Sequence, residues 1–376
     1  MTEIFRGQTP EDIDNKCLTI CAKYLEGVWK TITINGLDIN RISGGFTNQL
    51  FHCRLKDNIQ VNGNEPKDVF IRLYGPKWVK SSEPGSERLL DAIINVLASE
   101  YNLGPKVYGI FDEGILGEYI HGHHMSIEDQ KNPILVKEFA QKLAKFHSLN
   151  VPTARDLNRY KKIFYDFYDG IYKRTPNLDQ IFKEINAKNF LECDIKEENQ
   201  WLHKCIEAIK SPIVYSHNDI FTGNILVNNK IDDKSANNVI LIDFEYSGHF
   251  YRGSDLGFFV NEFGRSSNWL DRQDVPLAHD IWIQMFLTHY LNESIEIHGK
   301  EFADRVENSM QYLLRETKLF SLIAEMFIIF FMLYTNESPD CTDRREYLKK
   351  LDVFYGRYIK RRQQFEKEGI VPLSRH

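Results

Sequence analysis

The sequence predicts an α/β fold of the α+β kind in two lobes, a small antiparallel sheet followed by a larger, mainly helical body. Three observations predict it. The chain has 376 residues and 42% hydrophobic content, enough for two sizeable cores in a folded protein. Between Ile39 and Ile120, short runs of β-branched and aromatic residues bounded by Gly, Asn and Asp read as about five strands. After His124 the apolar residues recur at helical spacing. The expected division is 1–120 for the first lobe, with its N-terminal helix, and 121–376 for the second.

In the first part, Ile13, Cys17, Leu18, Cys21, Leu25 and Val28 fall at helical spacing, and Pro10, Glu11 and Asp12 suit a first turn, so an N-terminal helix is expected over 9–28. Residues 39–42 and 49–54 read as strands around Ser43, Gly44, Gly45, Phe46, Thr47 and Asn48. Two adjacent glycines there let backbone amides approach an anion, although a plain tight turn uses them too. Residues 69–75 form a strand with one cation, Arg72, inside an apolar run. Either it faces water from an edge, or its guanidinium fork meets a phosphate. Leu89, Leu90, Ile93, Ile94 and Leu97 give a helix over 86–99, and 106–111 with 117–120 close the sheet. The HGHH run at 121–124 lacks a second cluster at ligand spacing and reads as a solvated loop rather than a metal site.

In the second part, Val136, Phe139, Ala140, Leu143, Ala144 and His147 line one face of a core helix, with Lys142 and Lys145 on the other. His147 reads as a hydrogen-bonded core residue. Residues 156–190 and 201–209 read as further helices, and Trp282, Met285, Phe286, His289 and Tyr290 as a core stripe. The last two helices are expected at 317–334 and 347–361, with a charged, frayed tail from Arg362. The apolar run 319–334 is interrupted by Glu325 and is too short to cross a bilayer core of about 30 Å.

The chemistry concentrates between Val214 and Tyr246. Ser216, His217, Asn218 and Asp219 follow a short apolar run, which puts a carboxylate on a loop at a strand end, and Asn224 comes five residues later. Ile225, Leu226 and Val227 read as a strand, 228–238 as a polar turn and 239–242 as its partner, ending at Asp243. Such a hairpin carries Asn224 back towards Asp243, so three oxygen-bearing side chains are expected to converge. Hard oxygen donors suit Mg2+, with water and substrate phosphates completing its shell. Phosphoryl transfer needs a carboxylate facing the attacking hydroxyl and metal ligands under the phosphates; Asp219 fits the first role, Asn224 and Asp243 the second.

The succession His217-Asn218-Asp219, Gly223-Asn224-Ile225, Ile242-Asp243-Phe244-Glu245-Tyr246-Ser247-Gly248, then Tyr251-Arg252-Gly253 with Asp255, resembles the choline/ethanolamine kinase family, of protein-kinase-like fold. The resemblance covers roughly 39–295, and its strongest motifs lie at 214–262. It implies transfer of the ATP γ-phosphate to choline and/or ethanolamine, for phospholipid synthesis, with Mg2+ as cofactor. It further implies Ser43, Gly44, Gly45, Phe46, Thr47 and Asn48 as a phosphate loop, Arg72 as the phosphate cation, and Glu118, Tyr119 and Ile120 beside adenine. Tyr246 and Glu262 fall near the substrate ammonium, with His217, Asp91 and Asp255 as supports. The family has a Glu where this chain has Asp91, so either Asp91 or Glu87, one turn earlier, is the partner expected for Arg72.

Acceptor preference is divided. Choline kinases generally carry Trp-x2-Trp in the region matching Leu319 to Met326, where this chain has no Trp; Phe320, Phe327, Phe330 and Phe331 are alternative wall residues. Phe221 and Asn261-Glu262-Phe263 resemble the ethanolamine branch, while Tyr251-Arg252-Gly253 and the strand around Arg72 resemble the choline branch. The favoured reading is a broad choline/ethanolamine kinase; the alternatives are an ethanolamine kinase, a kinase for another small amino alcohol, an aminoglycoside or sugar, and a silent kinase-like regulator.

With 47 Lys plus Arg against 53 Asp plus Glu, a broad nucleic-acid surface is excluded. Six cysteines without C-x2-C pairing read as free thiols in a reducing compartment, and the N-terminus lacks the pattern of a signal peptide, so the expected location is cytoplasmic. The expected partners are ATP and the amino alcohol, with no nucleic acid and no membrane span. A homodimer stays open, since oligomeric state is not legible in the residues.

Overall fold

A computed structural model describes residues 9–42, 48–61, 63–75, 86–155, 157–231, 237–265, 277–335 and 343–372. The chain forms two compact units. The first comprises 1–123 with 228–231 and 240–245, and the second 124–227, 232–239 and 246–376. Asp243 therefore belongs to the first unit and Asp219 and Asn224 to the second.

The first unit opens with α1 (Ile13–Tyr24), followed by β1 (Leu37–Ile42), β2 (Gln49–Leu55), β3 (Asp68–Leu73), α2 (Ser86–Glu100), β4 (Val107–Phe111) and β5 (Gly114–Glu118). The strands form one antiparallel sheet in the order β1-β2-β3-β5-β4. Alternation sets its two faces. Val69, Ile71 and Leu73 join Cys17, Ile20, Cys21 and Trp29 in a core under α1, while Arg72 projects from the opposite face. The last strand begins three residues earlier than its expected start at Gly117 and stops at Glu118, leaving Tyr119 and Ile120 beyond it. The run GILGEYI is apolar without alternation, so its composition does not mark its ends.

A three-stranded sheet, β6 (Gly122–His124), β8 (Ile225–Asn228) and β9 (Val239–Leu241) in the order β6-β8-β9, contains points where the chain passes from one unit to the other. The HGHH run expected as a loop thus includes a strand. His121 lies 3.3 Å from Asp68, and no group of three or more His, Cys, Asp and Glu placed to hold a metal occurs among the described residues.

The second unit is helical. It contains α3 (Pro133–His147), α4 (Asn158–Arg174), α5 (Leu178–Ile185), α6 (Lys188–Glu192) and α7 (Ile195–Ile209), then the strand β7 (Ile213–Ser216) paired with β10 (Gly248–Tyr251). After them come α8 (Arg252–Glu262), α9 (Asp280–His298), α10 (Lys300–Ala303), α11 (Met310–Thr335) and α12 (Arg344–Lys367). The 26 residues of α11 are long enough to span a membrane, contrary to the length expected from 319–334, but 83% of its apolar window is buried inside the protein. Glu325 does not interrupt it; the carboxylate is buried against Arg357 and Arg361 of α12. Nor does the chain fray at Arg362. That arginine pairs with buried Glu198, and Phe365 and Val371 enter the core.

Two glycines one turn apart, Gly253 and Gly257, let α8 lie close against α11. A Cβ on Gly257 would sit 2.4 Å from the Phe320 carbonyl carbon and 2.7 Å from the Ser321 nitrogen. Glycine inside a helix costs roughly 0.5–1 kcal/mol relative to alanine, so it persists here because of the contact rather than the helix. Gly257→Ala is expected to destabilise the protein by about 2 kcal/mol or more, since overpacking outweighs the gain in helix propensity. A denaturation midpoint equal to or above that of the parent would refute this account of the α8–α11 contact.

Candidate active site

In the first unit the sequence-predicted residues gather around Arg72. Its guanidinium Nη2 lies 3.2 Å from Asp91, 3.5 Å from Asp243 and 3.8 Å from Glu245. Asp91 is the partner that the shorter carboxylate left open; the side chain of Glu87 is outside the described residues. Burial alone would lower the Arg72 pKa, but Asp91, Asp243 and Glu245 outweigh it and the net direction is upward, so the side chain stays a cation. One guanidinium is thus placed among three acidic side chains.

Asn48 bridges this cluster to the end of β3, accepting from the Gly75 amide at 3.2 Å and reaching Glu245 at 3.5 Å. Ser43, Gly44, Gly45, Phe46 and Thr47, the rest of the expected phosphate loop, lie outside the described residues. Asp243 has φ of 64°, a left-handed conformation that an Asp tolerates better than most side chains. Of the expected adenine-side residues, Tyr119 stacks on His52 at 3.7 Å, Glu118 pairs backbone with Lys106, and Ile120 accepts the Gly122 amide.

In the second unit the loop after β7 is built around Asp255. This buried carboxylate of α8 accepts the amide hydrogens of His217 at 2.7 Å and Asn218 at 2.8 Å, and it lies 3.0 Å from His147 Nε2. His147 Nδ1 is in turn 2.8 Å from the Tyr290 hydroxyl, so the imidazole is fixed at both nitrogens. Burial would raise the Asp255 pKa; the His147 hydrogen bond and charge, with His217, outweigh it and hold the carboxyl below its ordinary range.

Asn218 also has φ of 64°, and its amide donates to the carbonyls of Tyr246 and Gly248. Directly after this turn, Asp219 receives the Asn224 Nδ2 hydrogen bond on both its carboxylate, at 2.8 Å, and its carbonyl, at 2.9 Å. The amide nitrogen of Asn224 is thus committed to Asp219, and its oxygen is the atom with the chemistry to meet a hard cation. Glu262, buried at the end of α8, has Arg265 nearby, while Tyr246 adjoins the loop through its carbonyl.

Two expected wall residues, Phe320 and Phe330, are fully buried in the core and are corrected to packing roles. Phe327 and Phe331 are partly buried and pack on Phe167, with Phe258 5.9 Å from Phe327. Sequence reasoning gave no role in the site to Asn218, Glu245 or Tyr290. For Asn218 a signal existed, since Asn within a polar string after a strand is a natural left-handed turn residue; for Tyr290 helical spacing showed only a core stripe.

The chain matches the choline/ethanolamine kinase family model over residues 39–366. It is 30% identical over 324 residues to a choline/ethanolamine kinase of Homo sapiens, covering 84% of this chain and 78% of that protein. Its fold is similar to a choline kinase from Cryptosporidium parvum Iowa II, with a TM-score of 0.70 and 19% identity across 95% of this chain and 98% of that one. A Plasmodium vivax ethanolamine kinase follows at a TM-score of 0.58 and 20% identity, covering 93% and 91%. The chain belongs to the choline/ethanolamine kinase family and is a kinase of protein-kinase-like fold.

Asp255→Asn tests how the loop is held. Because the folded-state pKa lies below the ordinary 3.8, the carboxylate stabilises the fold above that value, and the contribution is lost as pH falls through the folded pKa. The variant is expected to be less stable by about 3 kcal/mol at neutral pH, as when one partner of a buried pair is removed. Unfolding measured from pH 7 downward should show that deficit shrinking below about pH 4; a deficit independent of pH would overturn the anionic role.

Proposed function

We propose that the protein transfers the γ-phosphoryl group of ATP to the hydroxyl oxygen of choline or ethanolamine, releasing ADP and phosphocholine or phosphoethanolamine. The observation that carries this reading is the Asp219–Asn224 pair on a loop whose two preceding amides are tied to Asp255. Family membership supplies the substrate class.

The acceptor hydroxyl faces Asp219. The Asn224 amide hydrogen fixes the Asp219 carboxylate, which takes the hydroxyl proton as the alcohol oxygen bonds to the γ-phosphorus. The bond from phosphorus to the β–γ bridging oxygen breaks, and its electrons leave with ADP. Asn224 and Asp243 would hold Mg2+, which when bound offsets charge on the phosphate oxygens. Arg72, kept cationic by its carboxylates, adds a fixed positive charge for the phosphates. Tyr246 and Glu262 meet the ammonium, by a ring face and a carboxylate that serve either amino alcohol.

The first experiment is ADP release by purified protein with ATP and Mg2+, comparing choline, ethanolamine and no acceptor. Turnover that depends on one amino alcohol is expected, and the preferred acceptor gives the preference of the pocket. Asp219→Ala should lower kcat by roughly 10²–10⁴-fold with little change in melting temperature, and Asp243→Ala should raise the KM for MgATP. Parent-like kinetics in both variants would remove these role assignments, and acceptor-independent turnover would remove the substrate class.

A further inference from the structure

Lys142 was expected on the outer face of α3, and the structure corrects this: both Lys142 and Glu138, one turn apart on that helix, are buried. Buried charges are retained only when paired and hydrogen-bonded. The two lie 3.5 Å apart, yet their shorter contacts go to the start of β9. Glu138 accepts the Val239 amide at 3.0 Å with one oxygen and the Asn238 side-chain amide at 2.9 Å with the other. Lys142 Nζ donates to the Val239 carbonyl at 2.6 Å.

Both backbone polar groups of one residue are thus held by side chains of a single helix. Val239 is the last residue of its segment in the second unit; the chain enters the first unit at Ile240 and reaches Asp243 three residues later. The same helix ends in His147, which holds Asp255 and through it the amides of His217 and Asn218. One helix therefore carries anchors for the loop before Asp219 and for Val239 at the start of β9.

We propose that Glu138 and Lys142 are positioning residues for the metal-binding end of β9, setting the register in which Asp243 is presented to the divalent cation of MgATP. The proposal rests on the reading of Asp243 as a metal ligand. It assigns the pair an effect on metal affinity beyond its contribution to packing, of the size seen when groups orienting a ligand are removed, about 10- to 100-fold.

The test is Mn2+ binding to the full chain saturated with ADP, followed by loss of the free-ion EPR signal, with metal-free ADP binding measured by calorimetry. Lys142→Met and Glu138→Gln are each expected to weaken Mn2+ binding about tenfold or more while leaving metal-free ADP affinity unchanged. Lys145→Met, on the exposed side of the same helix, should bind Mn2+ like the parent. A pair that only packed would lower the melting temperature without moving Mn2+ affinity in the folded fraction, and that result overturns the proposal. If Lys142→Met does not fold, Glu138→Gln, which keeps the size and one acceptor oxygen, decides alone. Asp243→Asn separates the two readings. If it leaves Mn2+ affinity unchanged, the metal-ligand reading fails; if it weakens binding while the anchor variants do not, only the positioning proposal fails.

Discussion

The loop after β7 in the second unit depends on one buried carboxylate. Asp255 takes two backbone amides that follow a strand end and would otherwise lack a ladder partner, and desolvating it is tolerable because His147 adds a third contact. The sequence of constraints then runs outward along the chain. With its amide tied to Asp255, Asn218 adopts a left-handed turn, and its side chain secures two carbonyls in the segment 246–248. Asp219, the next residue, leaves that turn with its orientation set and is locked by Asn224. A carboxylate held in this way has little conformational freedom left to lose.

Charge is arranged in the opposite sense around Arg72. A guanidinium placed among three carboxylates cannot neutralise them, so the cluster stays net negative even though its central residue is a cation. Arg72 gives direction to Asp91, Asp243 and Glu245. The short Asp91 side chain suffices because α2 brings its carboxylate to 3.2 Å from the guanidinium. Both left-handed residues outside glycine that adjoin this chemistry, Asn218 and Asp243, sit where direction matters more than local backbone preference.

Most of the fold was legible where a single physical signal dominated. Alternation revealed the strand that carries Arg72, and helical spacing revealed α1, α3 and α11. The loop bearing Asp219 and Asn224 was legible because a polar string after a short apolar run marks a strand end, and the structure ends β7 at Ser216. What failed did so for one reason. Lys142, Glu325 and Arg362 were read by their charge as outward-facing, interrupting or frayed, yet each is buried against a partner 32 to 164 residues away in sequence: Val239, Arg357 and Glu198 respectively. Periodicity reports the environment that a side chain prefers, whereas long-range pairing decides the environment that it can tolerate.

The strand β9 shows why such pairings recur here. It has three residues and lies at the edge of its sheet in the order β6-β8-β9, so alternate residues have N–H and C=O groups without a ladder partner. Val239 and Leu241, two apart, direct those groups the same way. Glu138 and Lys142 satisfy the first, and the carbonyl of Leu103 accepts the amide of the second. A longer edge strand could gain rigidity from more sheet pairing, but this one must end at once in the left-handed turn at Asp243. Side-chain anchoring supplies the rigidity that length cannot. A hydrophobic pair at 138 and 142 would bury equally well and leave the Val239 amide and carbonyl unsatisfied, which is why two charges occupy positions that composition alone would assign to leucine.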